Sequence, residues 1–316
     1  MSDTDTHQIP DAMPDDEDDS WHEGWQHKAL AGLLAVLDLQ PRPDLGEDVL
    51  VGTSQPQPHG RVFGGQVLAQ TVLAAQRTVS PERPVHSMHG YFLRAGDSSE
   101  PITFTVDRLR DGRSFSARRV QALQSGRPIL SMIASFQRPA EGLEHAEPMP
   151  DVPPPDAIPP LWEQPDRLHD PRARYLLRHR PLDVRPVQPG LHQEPVEPAT
   201  EQAIWVRAYG ALPDDPAVHA AVLAYASDYS LIEVVLRAQG VSWNRPGLRL
   251  ASLDHGMWWH RPVRADEWVL YVQTTPSASG ARGLGLGRMY RADGTLVASV
   301  AQEGMIRVPG PGSRPG

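Results

Sequence analysis

Six residues, HGYFLR at 89–94, return in altered form as HGMWWH at 255–260, and much of what surrounds them returns too. At the same offset ITFTV (102–106) lies over WVLYV (268–272) without a gap. The turns QSGRP and RADGT follow, then ILSMIASFQ and LVASVAQEG, while upstream GGQVLAQTVLAAQ (64–76) sits over SDYSLIEVVLRAQ (227–239). A chain that repeats over this much of its length must build one structural unit twice. Its 316 residues suit two units of about 150 residues each.

The unit is a helix followed by strands. Leu30, Leu33, Leu34 and Leu37 share one face of a 3.6-residue period, so residues 21–38 are expected to be helical. A second helix is expected from about residue 65 to 78, stopped by SPERP. Residues 85–94, 101–109, 115–124 and 128–137 read as strands parted by GDSSEP, RDGR and QSGRP. The order recurs after residue 200, with IWVRAYGAL as a strand, one or two helices in PAVHAAVLAYASDYSLIEVVLRAQG, and four strands beginning with LRLASLDHGMWWHR. A long helix wrapped by one curved antiparallel sheet is the hotdog arrangement. Two copies predict an α+β double hotdog, with units at 21–138 and 201–308. Between them residues 139–200 are dense in proline, which blocks ladders and helix interiors alike. They read as a long connector in which Trp162, Leu176, Leu177 and Val184 pack on a neighbouring surface.

Residues 1–20 are rich in acids, hold no Lys or Arg, and read as a disordered acidic tail; residues 309–316 read as a flexible one. A net charge of -9 argues against a nucleic-acid surface. With no cysteine, disulfides, thiolate metal sites and a Cys nucleophile are excluded. There is no signal peptide, no apolar run long enough to span a membrane and no terminal Ser-Lys-Leu, so the expected compartment is the cytoplasm.

The copies differ where chemistry would sit. Asp228 aligns with Gly65 and Ser252 with His86, and Gln302 lies in the last strand of the second copy. One site per chain follows, with Asp228, Ser252 and Gln302 as its catalytic candidates. Asp228 is expected in the first turn of a helix, where the dipole keeps a carboxylate ionised. The three groups together suit holding and deprotonating one water for attack on an activated acyl group. Helix N-termini offer N–H groups to the oxyanion, and Gly64 and Gly65 permit close approach. Gly64, Gly65, Gln66, His89 and His255 are the candidate substrate contacts.

Other chemistries fit less well. There is no G-x-S-x-G elbow. His255 is three residues from Ser252, which a regular strand would aim at the opposite face. Asp254, His255 and His260 lack zinc-site order, so neither metal nor cofactor is expected. Gly283, Gly285 and Gly287 alternate along a strand and mark close packing of two segments. Each candidate also has a plain structural alternative. Asp228 could be a helix cap, Ser252 and Gln302 ordinary strand residues, His255 and His260 packed histidines, and Trp258 and Trp259 core. Arg110, Arg113, Arg118 and Arg119 form either a solvated face or a phosphate contact.

VFGGQVLAQ (62–70), HSMHGYFLRAGD (86–97), RDGRSFSARRV (110–120), SMIASF, ASLDHGMWWHRP and LVASVAQEGMIR, in that order, make the chain resemble the type II acyl-CoA thioesterases from about residue 28 to 307. The resemblance implies a double hotdog that cleaves acyl-CoA to fatty acid and CoA without a covalent intermediate. An Asp, a Thr or Ser, and a Gln orient the water; these fall on Asp228, Ser252 and Gln302. Ser stands where bacterial relatives often carry Thr. The resemblance also implies a homodimer or homotetramer. A non-catalytic acyl-CoA-binding hotdog and a hotdog hydratase are the competing readings.

Overall fold

The computed structural model describes residues 24–57, 60–163, 175, 177–191 and 196–308. Both expected tails, and Leu176, lie outside them. Helix α1 (Trp25–Leu37) buries Leu30, Leu33 and Leu37, the stripe that the leucine spacing predicts. The first unit continues with β1 (Gln40–Pro41), β2 (Val49–Gly52), α2 (Gly64–Gln76), β3 (Val85–Phe92), β4 (Ile102–Asp111), β5 (Phe115–Gln124) and β6 (Arg127–Gln137). The second comprises β7 (Leu182–Pro186), β8 (Glu201–Ala208), α3 (Pro216–Ser227), α4 (Glu233–Ala238), β9 (Arg249–Ser252), β10 (Asp254–Trp259), β11 (Val269–Ser279), β12 (Arg282–Arg291) and β13 (Leu296–Arg307).

All strands join one sheet in the order β1-β2-β4-β5-β6-β3-β10-β13-β12-β11-β8-β7, with β9 also paired to β13. Each unit contributes a run of antiparallel neighbours, and the two runs meet at β3 and β10. There the repeated dipeptides pair reciprocally, His89 opposite Gly256 and His255 opposite Gly90. Helix α2 is buried from Gly65 to Ala75, on all sides rather than on one stripe, with Gln66, Gln70 and Thr71 hydrogen-bonded inside. It lies between its own sheet and α3. One apolar core runs through both units, with Leu68 and Phe104 from the first and Tyr225 and Val300 from the second. These are two tandem hotdog units sharing one sheet.

The structure departs from the sequence reading at three places. The connector adds an edge strand, β7, paired with β8; its proline is the last residue, and the ladder bond beyond it comes from the Val187 N–H to the Ala203 carbonyl. Leu177 and Val184 are buried as expected, and Trp162 packs edge-on against Trp25. The segment read as one or two helices holds two, but the break falls at Asp228: α3 ends at Ser227 and α4 starts only at Glu233, so the acid opens neither. Finally, LRLASLDHGMWW is not one regular strand. From Ser252 to Gly256 the chain takes four steps while β13 takes three, from Gly304 to Ala301. This is a β-bulge, and one extra residue moves every side chain before it to the other face. Asp254 Oδ1 accepts the Glu303 N–H at 2.7 Å and secures the bulge.

Candidate active site

The bulge carries Ser252 to the interior. A regular strand would put it on the outer face with Trp258; instead it shares the inner face with Gln302 and His255. Asp228 reaches the same point from the end of α3. Gln302 Nε2 donates to Asp228 Oδ1 at 2.6 Å and to Ser252 Oγ at 2.8 Å. Ser252 Oγ stands 3.3 Å from the same carboxylate oxygen, a longer and weaker bond. The structure thus brings together the three candidates that the sequence singles out.

Asp228 does not sit where the sequence reading puts it. It is the C-cap of α3, where the dipole and free carbonyls oppose a carboxylate. Compensation comes from the other unit, since the Gly65 N–H at the N-terminus of α2 donates to it. Burial outweighs these donors and raises its pKa to about 6. Asp228 is therefore mostly ionised at neutral pH, yet far more basic than an exposed aspartate.

Asp228, Ser252 and Gly64 line a cavity of about 1070 Å³. Gly64 is required there, because a Cβ would lie 2.6 Å from Asp228 Oδ2. Gly65 packs beneath, where a Cβ would come within 2.5 Å of the Tyr225 carbonyl oxygen. Gln302 is not in the cavity wall. It is 1% exposed, and both of its amide protons go to Asp228 and Ser252.

Three expected substrate contacts are placed elsewhere. Gln66 is fully buried and ties α2 to the 53–55 loop and to Gln70. His89 is exposed on the outer face, edge-on to Trp258 at 4.9 Å, because from Ser87 to Tyr91 the odd positions of β3 point outward. His255 is 1% exposed and outside the cavity wall, with Nε2 2.8 Å from Ser227 Oγ. Burial pushes its pKa down to about 3. Arg118 is likewise buried, paired with Asp111 at 2.8 Å, while Arg119 pairs with Asp107. Gly283, Gly285 and Gly287 lie where any Cβ would strike Val235, Leu231 or Tyr271, the close packing expected of them.

Two family models match the chain, "Acyl-CoA thioesterase" over residues 181–305 and "Acyl-CoA thioesterase N-terminal domain" over residues 53–137. Human acyl-coenzyme A thioesterase 8 is 40% identical over 288 residues, covering 87% of this chain and 89% of that protein. Acyl-CoA thioesterase 2 of Haemophilus influenzae is 36% identical, covering 88% of this chain and 98% of its own length. The crystal structure of the acyl-CoA thioesterase II TesB2 from Mycobacterium marinum superposes with a TM-score of 0.72 at 42% identity, covering 88% and 98% of the two chains. The chain belongs to the type II acyl-CoA thioesterase family.

Within this thioesterase-family site, sequence reasoning missed an aromatic box. Tyr225 and Tyr229 flank Asp228 in the motif YASDYSL. Phe63 packs edge-on to Tyr225 and stacks on Tyr229, and the Arg180 guanidinium lies 4.5 Å from the Tyr229 ring centroid. Tyr225 Oη donates to Gln55 Oε1 at 2.7 Å. The available signal was tyrosine on both sides of the candidate acid.

Proposed function

We propose that the chain hydrolyses acyl-CoA thioesters to a free fatty acid and CoA, with Asp228 as general base. The observation that carries this reading is the hydrogen-bonded set of Asp228, Ser252 and Gln302 at the wall of a large cavity, beside the N-terminus of α2. A water held by Asp228 and Ser252 attacks the thioester carbon and gives a proton to the carboxylate. The new C–O bond forms as the carbonyl oxygen takes the negative charge. The Gly64 N–H at the start of α2, next to the Gly65 N–H that Asp228 takes, faces that charge. When the tetrahedral species collapses the C–S bond breaks, and Asp228 returns the proton to the departing sulfur. Gln302 aims Asp228 and Ser252 from behind and touches no substrate. Neither metal nor cofactor takes part.

The cavity suits such a substrate. Val62, Val67, Ile129 and Ile204 offer apolar wall to an acyl chain, and Arg61, Arg94 and Arg180 offer cations to CoA phosphates. Its volume, about 1070 Å³, lies just above the roughly 300–1,000 Å³ usual for ligand pockets. We place the enzyme in the cytoplasm and divide it into units at 21–138 and 201–308, with the connector's edge strand β7 joined to the second. We also assign a homodimer or homotetramer, because Tyr91 and Ile133 are 63% and 50% exposed on the outer sheet face near the junction of the units. The direct test is thiol release from acyl-CoAs of increasing chain length. Wild type should turn over; Asp228→Asn and Gln302→Ala should not, or only slowly. Binding without turnover by wild type would favour the non-catalytic reading, and hydration of crotonyl-CoA without thiol release the hydratase.

A further inference from the structure

His255 has no access to the cavity, yet it sits between Gln302, which donates to Asp228, and Ser227, which precedes it. It leaves β10 one residue before Gly256, whose register partner is Ala301, and Gln302 is the next residue of β13. The two side chains therefore stand side by side on adjacent strands, facing inward and each 1% exposed. On its other side the imidazole Nε2 lies 2.8 Å from Ser227 Oγ, and Ser227 directly precedes Asp228.

The protons decide what this contact does. Gln302 spends both N–H groups on Asp228 and Ser252, so Oε1 points away from them. Oε1 and His255 Nδ1 are both buried, and neither has a partner at full hydrogen-bond geometry. The Gln302 side chain is nonetheless close enough to favour the charged form of His255. A neutral imidazole carries a single N–H. With it on Nε2, the Nδ1 lone pair would face the Gln302 oxygen, two acceptors together. Turning the amide over would relieve that contact but set Oε1 against the Asp228 carboxylate. With the proton on Nδ1 both orphaned atoms are served. Nδ1–H meets Oε1, and the Ser227 hydroxyl turns its one proton to Nε2 from the Ala224 carbonyl, to which it otherwise donates at 2.8 Å.

We propose that His255 is a positioning residue: it donates its Nδ1–H to Gln302 Oε1 and so holds the amide the one way round that presents both N–H groups to Asp228 and Ser252. This rests on the reading of Asp228, Ser252 and Gln302 as the water-holding set. Asn and Gln separate the two edges of the ring. Asn offers an N–H where Nδ1–H stands, and Gln offers one where Nε2 stands. His255→Asn should keep kcat within a few-fold of wild type. His255→Gln and His255→Leu should lose about 10²-fold in kcat with KM little changed, the size of effect that loose positioning produces. A purely structural histidine would give losses that follow the melting temperature and treat Asn and Gln alike; that pattern overturns the proposal. Nitrogen-15 NMR of histidine-labelled wild type reads the tautomer directly, with His255 assigned by its absence from a variant. The proton on Nδ1 supports the proposal, and on Nε2 it sinks it. This measurement needs no turnover, whereas a fully active Asp228→Asn would sink the parent reading instead.

Discussion

Replacing Asp228 by Asn should remove activity and, at neutral pH, relieve the fold of a cost. The carboxyl titrates near 6 in the native state against an ordinary 3.8, a shift of about two units caused first by burial. At 1.36 kcal/mol per unit this is about 3 kcal/mol of differential stability. The sign follows from proton uptake. Between pH 4 and 6 the native protein holds a proton on Asp228 that the unfolded chain has released, so wild-type stability falls as pH rises through this window. Above about pH 7 the cost is fully present, and below about pH 3 it is absent. Asparagine cannot titrate. It also turns an N–H toward the Gly65 N–H, which adds a penalty that does not depend on pH. The stability difference, variant minus wild type, should therefore grow by about 3 kcal/mol from about pH 3 to pH 7, whatever its starting value. Urea titrations of both proteins at a series of pH values measure it, and their subtraction cancels the other titrating groups. A flat difference would refute the burial argument. A difference that shrinks with pH would mean a lowered pKa, as a carboxylate in the first turn of a helix would have.

The same pKa predicts that kcat/KM rises with pH through about 6 and then levels, provided Asp228 is the base; a profile flat from pH 5 to 8 would exclude it. Gly64→Ala puts a methyl against Asp228 Oδ2 and should abolish thiol release while costing little stability, whereas Gly65→Ala strikes backbone and should destabilise by roughly 1–3 kcal/mol in thermal unfolding. Asp254→Ala removes the acceptor that secures the bulge; it should lower kcat by about 10²-fold through Ser252, and an unchanged rate would show that the bulge stands without it. His89→Ala, on the outer face, should leave kcat and KM as they are, and a large rise in KM would return His89 to the substrate.

The duplication was legible because long runs of side chains repeat, and it correctly implied two similar hotdog units. What the letters hide is strand parity. The best match, HG over HG, sets an outward histidine on an inward one, since Met88 and Met257, not His89 and His255, share the inner face. A strand slipped by one residue keeps its composition and reverses its faces. The bulge before Gly256 is silent for the same reason: it adds one residue with no characteristic type. Asp228 was found by comparing the copies, but its helix end was misjudged. SDYSLIEVVLRAQ matches α2 well, and PAVHAAVLAYAS is itself a helix, so the acid closes one helix instead of opening the next. Gln66 read as a substrate contact because it follows two glycines that are near the cavity, and only its amide partners show otherwise.

The seam between β3 and β10 has a mechanical consequence. Five register pairs and a shared core cross it, so the halves adhere without help from the chain that links them. Cutting the exposed stretch around Leu143 should leave a nicked molecule that elutes intact and melts in one step, its acid still gripped by a glycine from the other fragment. Neither fragment alone would possess a whole catalytic apparatus, and mixing the two should restore it.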